Sequence, residues 1–244
     1  MNDVFDHESR ASPSLYAGET HALDKTLPAC LRELQRNNSR EWFHAHKEEF
    51  QSHVVAPLAA LAEALAPGMV LLDDSLVKKL SRPQRDVRFS RDKSPYRTEM
   101  WFAFRRVQPE WTKYPAFFFE ATPEFCRWGM GYYCASPTTM SALRGLAEED
   151  QEQFLTAMAA AKERGFTLHG DKYKRQPLVP ADLPEEIVEL FRHRNVYLCR
   201  TMDYEQLLPG SELATVLAAD YAALGGMYRI FCVAAEPEDR RKIA

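Results

Sequence analysis

Apolar residues recur along this chain with two different periods. From Leu27 the spacing is helical: Leu27, Leu31 and Leu34 share one face, and Asn37-Asn38 supply a stop. Ser39 is a good N-cap for a second helix, because its hydroxyl can take an orphan amide of the first turn. Phe43, Phe50, Val54, Leu58, Leu61 and Leu65 then keep three-and-four spacing. Pro57 is expected to kink or divide this long helix, and Pro67-Gly68 to end it. In the middle of the chain the period changes. Val87 and Phe89 alternate with Asp86, Arg88 and Ser90, so a strand over 85–90 would send the two apolar side chains to the core. Trp101-Phe102-Ala103-Phe104 and Phe117-Phe118-Phe119 are aromatic runs that favour strands.

Residues 126–134 look like a hairpin about Gly129 and Gly131, or a loop with one flanking strand. After Pro137, Met140 to Arg164 reads as helix, with Leu143, Leu146, Phe154 and Met158 towards the core. Phe166-Thr167-Leu168 and Val196 to Cys199 are strand candidates, and helices follow over Pro184 to Phe191 and Ser211 to Leu224. There is no internal repeat and no linker long enough to divide the chain. The pattern predicts one α+β domain over 25–235, an antiparallel or mixed sheet packed by helices, between a flexible tail over 1–24 and a charged tail over 236–244.

Composition supports a globular chain: 244 residues, 45% hydrophobic and 27% charged, large enough to bury roughly three-quarters of the surface its unfolded form exposes. The most apolar span, Val54 to Leu72, contains Glu63 and is interrupted by Pro57, Pro67 and Gly68, so it reads as a core helix rather than a membrane span. Five cysteines, an odd number without paired metal spacing, and an N-terminus without a signal pattern point to a reducing cytoplasm.

Charge changes the picture locally. The net charge is −4, yet residues 78 to 106 carry ten Lys/Arg against three acids, so +7 here leaves −11 elsewhere. Within this stretch Asp86 can hold Arg88 or another arginine in a fixed pose, and a guanidinium so held offers two parallel hydrogen bonds to carboxylate or phosphate. A turn over Asp92 to Tyr96 would bring Lys93, Tyr96 and Arg97 back over Arg85 and Arg88. The cluster reads as a pocket for a small phosphate- or carboxylate-bearing ligand, with Tyr96 as one wall and Tyr132, Lys174 and Arg175 as further contributors. Two other readings stay open. One is a nucleic-acid module that tracks phosphates with these cations and stacks bases on Trp101 or Tyr96; the other is an interaction or scaffold protein whose arginines form a lock, Arg85 and Arg88 pairing with acids such as Glu41 or Glu120.

The remaining candidates carry less. His44, His46 and His53 lack the spacing of a zinc site. His169, beside Lys172, Lys174 and Arg175, becomes a general base or anion ligand only if its strand neighbours residues 85–97. Cys126 and Cys134 would face one another across a symmetric hairpin and could pair, although free thiols are the commoner state in cytoplasm. A carboxylate, hydroxyls and cations would converge at the arginine cluster, but no nucleophile–base pair can be named. If chemistry occurs there, it is transfer or hydrolysis on a phosphorylated or carboxylated small molecule. No cofactor can be named either.

Arg85-Asp86-Val87-Arg88-Phe89-Ser90-Arg91-Asp92-Lys93-Ser94-Pro95-Tyr96-Arg97 resembles the signature of a bacterial and fungal family known as domain of unknown function 2461. Asn37-Asn38-Ser39-Arg40-Glu41-Trp42-Phe43, Gly129-Met130-Gly131-Tyr132 and Tyr173-Lys174-Arg175 with Pro177 look like further family elements. The resemblance spans roughly Leu27 to Cys232 and brings no activity with it. Where the family usually carries a Gly-Gly-Gly type turn, this chain has Met130, so the turn is expected to differ.

Overall fold

The computed structural model describes residues 23–107, 111–175 and 177–236. Apart from Leu23, Asp24 and Glu236, the two expected tails lie outside the described residues. Leu23 is buried in the core and Glu236 accepts a hydrogen bond from Arg106, so neither of these belongs to a loose end.

The first helices follow their pattern. α1 (Thr26–Arg36) buries Leu27, Leu31 and Leu34. α2 (Arg40–Ala45) is capped by Ser39, whose hydroxyl accepts from the Trp42 amide at 3.2 Å. α3 (Lys47–Phe50), a π-helical turn (Gln51–Val55) and α4 (Ala56–Leu72) form one unbroken run. Pro57 neither breaks nor divides it. The wider π turn lies immediately ahead of the proline, where its missing N–H and its ring would disturb an ordinary turn. Pro67-Gly68 do not end the helix, which continues to Leu72 because Met69 extends the buried stripe while Pro67 and Gly68 face solvent. This run is long and apolar enough to cross a membrane, but Val54, Leu58, Leu61, Leu65 and Met69 are buried in the core of this domain.

The sheet contains β1 (Leu76–Leu80), β2 (Met100–Arg106), β3 (Pro115–Ala121), β4 (Phe125–Tyr132), β5 (Thr167–His169) and β6 (Tyr197–Asp203). All pairings are antiparallel, in the order β1-β2-β3-β4-β6-β5. The expected single helix over 140–164 is two, α5 (Pro137–Glu149) and α6 (Gln151–Glu163), because the Asp150 carboxylate accepts from the Gln153 amide and caps a new helix. α7 (Glu185–Phe191), α8 (Gly210–Ala223) and α9 (Gly225–Ala235) complete a single α+β domain; β1 and α9 have no counterpart in the sequence reading.

Strand alternation places Phe102 and Phe104, Phe117 and Phe119, Trp128 and Met130, and Leu198 on one face, all within 1% of full burial. Helices cover that face. Phe117 packs against the rings of Tyr221 and Tyr228, and Tyr132 donates to the Phe231 carbonyl of α9. At its centre Asp220 of α8, with no exposed surface, accepts from Trp128 Nε1 at 2.8 Å, Arg164 Nε at 2.7 Å and Arg200 Nη1 at 3.1 Å. One carboxylate thereby ties α8 to β4, β6 and the end of α6.

Replacing Asp220 by Ala leaves two arginines and an indole facing a dry hole. The expected loss is about 3 kcal/mol, the low end for breaking a buried ion pair because both arginines keep some access to water. Urea unfolding would show it as a lower midpoint at unchanged slope.

Candidate functional site

The Arg-rich segment is an arm, not a strand of the sheet. Beyond β1 the chain keeps a narrow two-stranded ribbon with the residues that lead into β2: Arg85 N–H donates to Pro95 O at 2.9 Å, Arg97 N–H to Pro83 O at 2.7 Å, and Gln84 bridges Tyr96. Past Gln84 no third strand lies alongside, so alternation has no core to point into. Val87 is only half-buried and Phe89 is 96% exposed, which corrects the expectation that both are core residues.

Side chains hold the arm in place of a ladder. Asp86 accepts from the Arg88 amide at 3.1 Å and from its Nε and Nη2 at 3.0 and 2.7 Å, bonds that lower its pKa to about 2. Asp92 accepts from the Ser94 amide and hydroxyl at 2.9 and 2.6 Å and from Arg85, and these contacts hold its carboxyl well below the usual range. Lys93 Nζ donates to Val87 O at 3.0 Å. Arg85, Asp86, Arg88 and Lys93 are therefore brought together, but their charges bind one another and the backbone. Neither Glu41 nor Glu120 is the partner of Arg85 or Arg88; Glu120 pairs with Arg127. Arg97 stands half-buried at the base of the arm with no side-chain partner among the described residues.

Tyr96 roots the arm rather than walling a pocket. Its ring, 5% exposed, stacks on Phe43 at 3.9 Å. The Asn38 side chain donates to Tyr96 O at 2.9 Å and accepts from Tyr96 N at 3.0 Å, so one amide satisfies both backbone groups. The Asn37-to-Phe43 stretch and the Arg85-to-Arg97 stretch are thus two halves of one structural unit.

The other expected contributors lie elsewhere. Tyr132 is buried, with its ring stacked on Phe231 at 5.0 Å. The hairpin about Gly129 and Gly131 is also corrected: β4 runs straight through both, and Met130 is a core residue. Cys126 lies buried near the start of that strand and Cys134 exposed past its end, both free, so the hairpin pairing does not exist. Lys174 and Arg175 follow β5, at the opposite edge and opposite end of the sheet from the arm. The antiparallel order dictates this, since β2 begins at the arm and β5 ends at residue 169. His169 is equally remote from residues 85–97.

A different constellation appears on the uncovered face of the sheet. A Cβ on Gly129 would overlap the Leu198 carbonyl, and one on Gly131 would overlap Tyr197. The backbone of β6 thus occupies the space in front of β4, and the sheet curls towards its open face, making it concave. Alternate residues of the strands project there: Trp101 and Arg105 from β2, Phe118 and Glu120 from β3, Arg127 from β4, Tyr197 and Cys199 from β6, Thr167 and His169 from β5. Glu120 and Arg127 form an ion pair. His169 stacks on Tyr197 at 5.6 Å, Tyr197 meets Phe118 edge-on at 6.1 Å, and His169 Nε2 lies 2.8 Å from Thr167 Oγ1. Arg105 lies over Trp111 at 4.5 Å and has no carboxylate partner among the described residues.

Burial works against the charge on Arg127, but the hydrogen bond to Glu120, the Glu120 charge and the neighbouring Cys199 and Tyr197 together outweigh it and raise the pKa. Burial, then the charges of Arg127 and His193, lower the pKa of His169, so a neutral imidazole faces the concavity near pH 7. Burial pushes the Cys199 thiol up to about 11, leaving it a poor nucleophile. Sequence reasoning missed Glu120, Arg127, Phe118 and Tyr197 as a group because they come from three strands. The available signal was the non-core phase of each strand, which holds aromatics and paired charges where an ordinary solvent face carries scattered polar residues.

A family model described as conserved hypothetical protein (DUF2461) matches residues 28–229. No curated protein matches the chain.

Two outcomes follow from the geometry. Arg88, 76% exposed in its pair with Asp86, should tolerate Ala without a measurable loss of stability, whereas Asn38→Ala should cost about 2 kcal/mol for two lost backbone contacts, both read by chemical denaturation. An NMR titration should place His169 below the ordinary histidine pKa, and Arg127→Gln should move it upward by removing a neighbouring positive charge.

Proposed function

The chain belongs to the DUF2461 family of conserved hypothetical proteins, and from that premise we propose that it binds a small anion-bearing ligand on the open, concave face of its sheet. The observation that carries this is the convergence of Arg127, Glu120, Tyr197 and His169 from four strands on a face that no helix covers among the described residues. Arg127 would take the phosphate or carboxylate through its planar fork, with Glu120 fixing its orientation. Trp101, Phe118 and Tyr197 offer ring faces for an unsaturated or sugar-like portion. Neutral His169 can accept a proton from a ligand hydroxyl or share one, a general-base capacity beside that of the Glu120 carboxylate. The arm is not the pocket in this reading: Tyr96, its expected wall, is buried against Phe43, and Arg88 stands exposed at its tip. Five free thiols suit a cytoplasmic setting.

The aromatic row favours a second reading. Rings on neighbouring strands, with Arg105 and Lys79 on the same face and without a carboxylate partner among the described residues, form the kind of stacking platform that takes single-stranded nucleic acid. The −11 carried by the remainder of the chain opposes a long phosphate footprint.

Thermal unfolding against phosphates, carboxylates, nucleotides and short single-stranded DNA tests both. A ligand at a hundredfold excess over its dissociation constant should stabilise the wild type by about 2.7 kcal/mol. Arg127→Gln should abolish that gain while Arg88→Ala keeps it. Loss in Arg88→Ala with retention in Arg127→Gln would move the site to the arm, and no gain with any ligand would overturn the reading. A DNA-specific gain that falls steeply with salt would select the nucleic-acid form.

A further inference from the structure

The arm ends in an unusual combination. Phe89 stands almost fully in water although the loop beneath it is held by Asp86, Asp92 and Lys93. Arg88 lies against its ring at 5.9 Å, and Arg91 is exposed with no carboxylate partner among the described residues. Residues 85 to 93 carry four cations against two carboxylates. An ordered, exposed aromatic ringed by positive charge is the form of an interface anchor.

Elsewhere on the same chain lies its complement. A cleft of about 860 Å³ opens between α5, α6 and α9, a size that accommodates a drug-sized group. Leu146, Ala157, Ala160, Gly226, Ile230 and Val233 give it an apolar lining, and small residues keep it open. Glu149, Asp150 and Glu152 stand on its rim against the single cation Arg229. Glu149 and Glu152 have no ion-pair partner among the described residues. The knob is apolar with a positive collar, and the cleft is apolar with a negative collar.

We propose that Phe89 of one chain docks in the α5–α6–α9 cleft of a second copy, with Arg88, Arg91 and Lys93 facing Glu149, Asp150 and Glu152. Both collars are needed for the choice of occupant. An apolar cleft alone accepts many partners, but the net charges of these two surfaces are opposite in sign, and both belong to this chain. Knob and cleft lie at different places on the surface, so the contact is head-to-tail and closes either by reciprocal exchange in a dimer or in a ring. Neither surface belongs to the concave sheet face, so ligand binding there and association here are separable.

Sedimentation of the full chain over a range of concentrations tests this. The wild type should associate, and more weakly at high salt because the collars are exposed charge. Phe89→Asp and the rim double variant Glu149→Lys with Glu152→Lys should each be monomeric. All three substitutions are at exposed positions, and unchanged circular dichroism would establish that both variants fold. An equimolar mixture should regain a pair, because one variant keeps its cleft and the other its arm. A wild type that stays monomeric up to about 1 mM would overturn the proposal and leave the cleft to another partner or to the chain's own residues 237–244. Undiminished association of Phe89→Asp would overturn it equally.

Discussion

Asp220 has no contact with water, and the layered arrangement of the domain depends on how its charge is met. An isolated buried carboxylate is costly, so it is tolerated only where donors converge on it. Here Trp128, Arg164 and Arg200 supply those donors from β4, the end of α6 and β6. The contact draws α8 onto the centre of the sheet, next to Phe117, whose ring meets Tyr221 edge-on and Tyr228 at a tilt. It also makes the sheet two-sided in character. Every aromatic in core phase faces this buried anchor, and the residues of opposite phase are left for another use.

That use is shaped by two glycines. Without side chains at Gly129 and Gly131, β6 can cross the space in front of β4 and curl the sheet towards its uncovered face. A flat sheet would hold Arg127, Tyr197 and His169 as separate surface residues. The curl turns them towards one another, so that the charge of Arg127 bears on Tyr197, Cys199 and His169 together. Backbone geometry at two positions therefore sets the electrostatics of residues on three strands.

The arm obeys the same economy at the other end of the sheet. Its root is sealed by Asn38 on Tyr96 and by Phe43 on the Tyr96 ring, and its tip is held by Asp86 and Asp92. Order at the tip is maintained without burial, which is why Phe89 can be both fixed and exposed. The arginines look like a ligand cluster in one dimension because charge density is visible there and pairing is not.

Much of the scaffold was legible in the sequence because it depends on local period and local chemistry. The stripe of Leu27, Leu31 and Leu34, the Ser39 cap, the strands at Phe102 and Phe119 and the family motifs all follow from neighbours within a few residues. The sequence by itself determined a single α+β domain with a concentrated basic segment. Tertiary structure alone decided where that segment sits, since alternation over 85–90 means burial only if a third strand and a helix lie beside it, and among the described residues neither does. It also decided that Gly129 and Gly131 serve a close strand crossing instead of a turn, and that Lys174 and Arg175 fall at the far corner from the arm. The physical reason is the same in each case. Period specifies which side chains share a face, but strand order and curvature specify what that face meets, and both are set by contacts between residues distant along the chain.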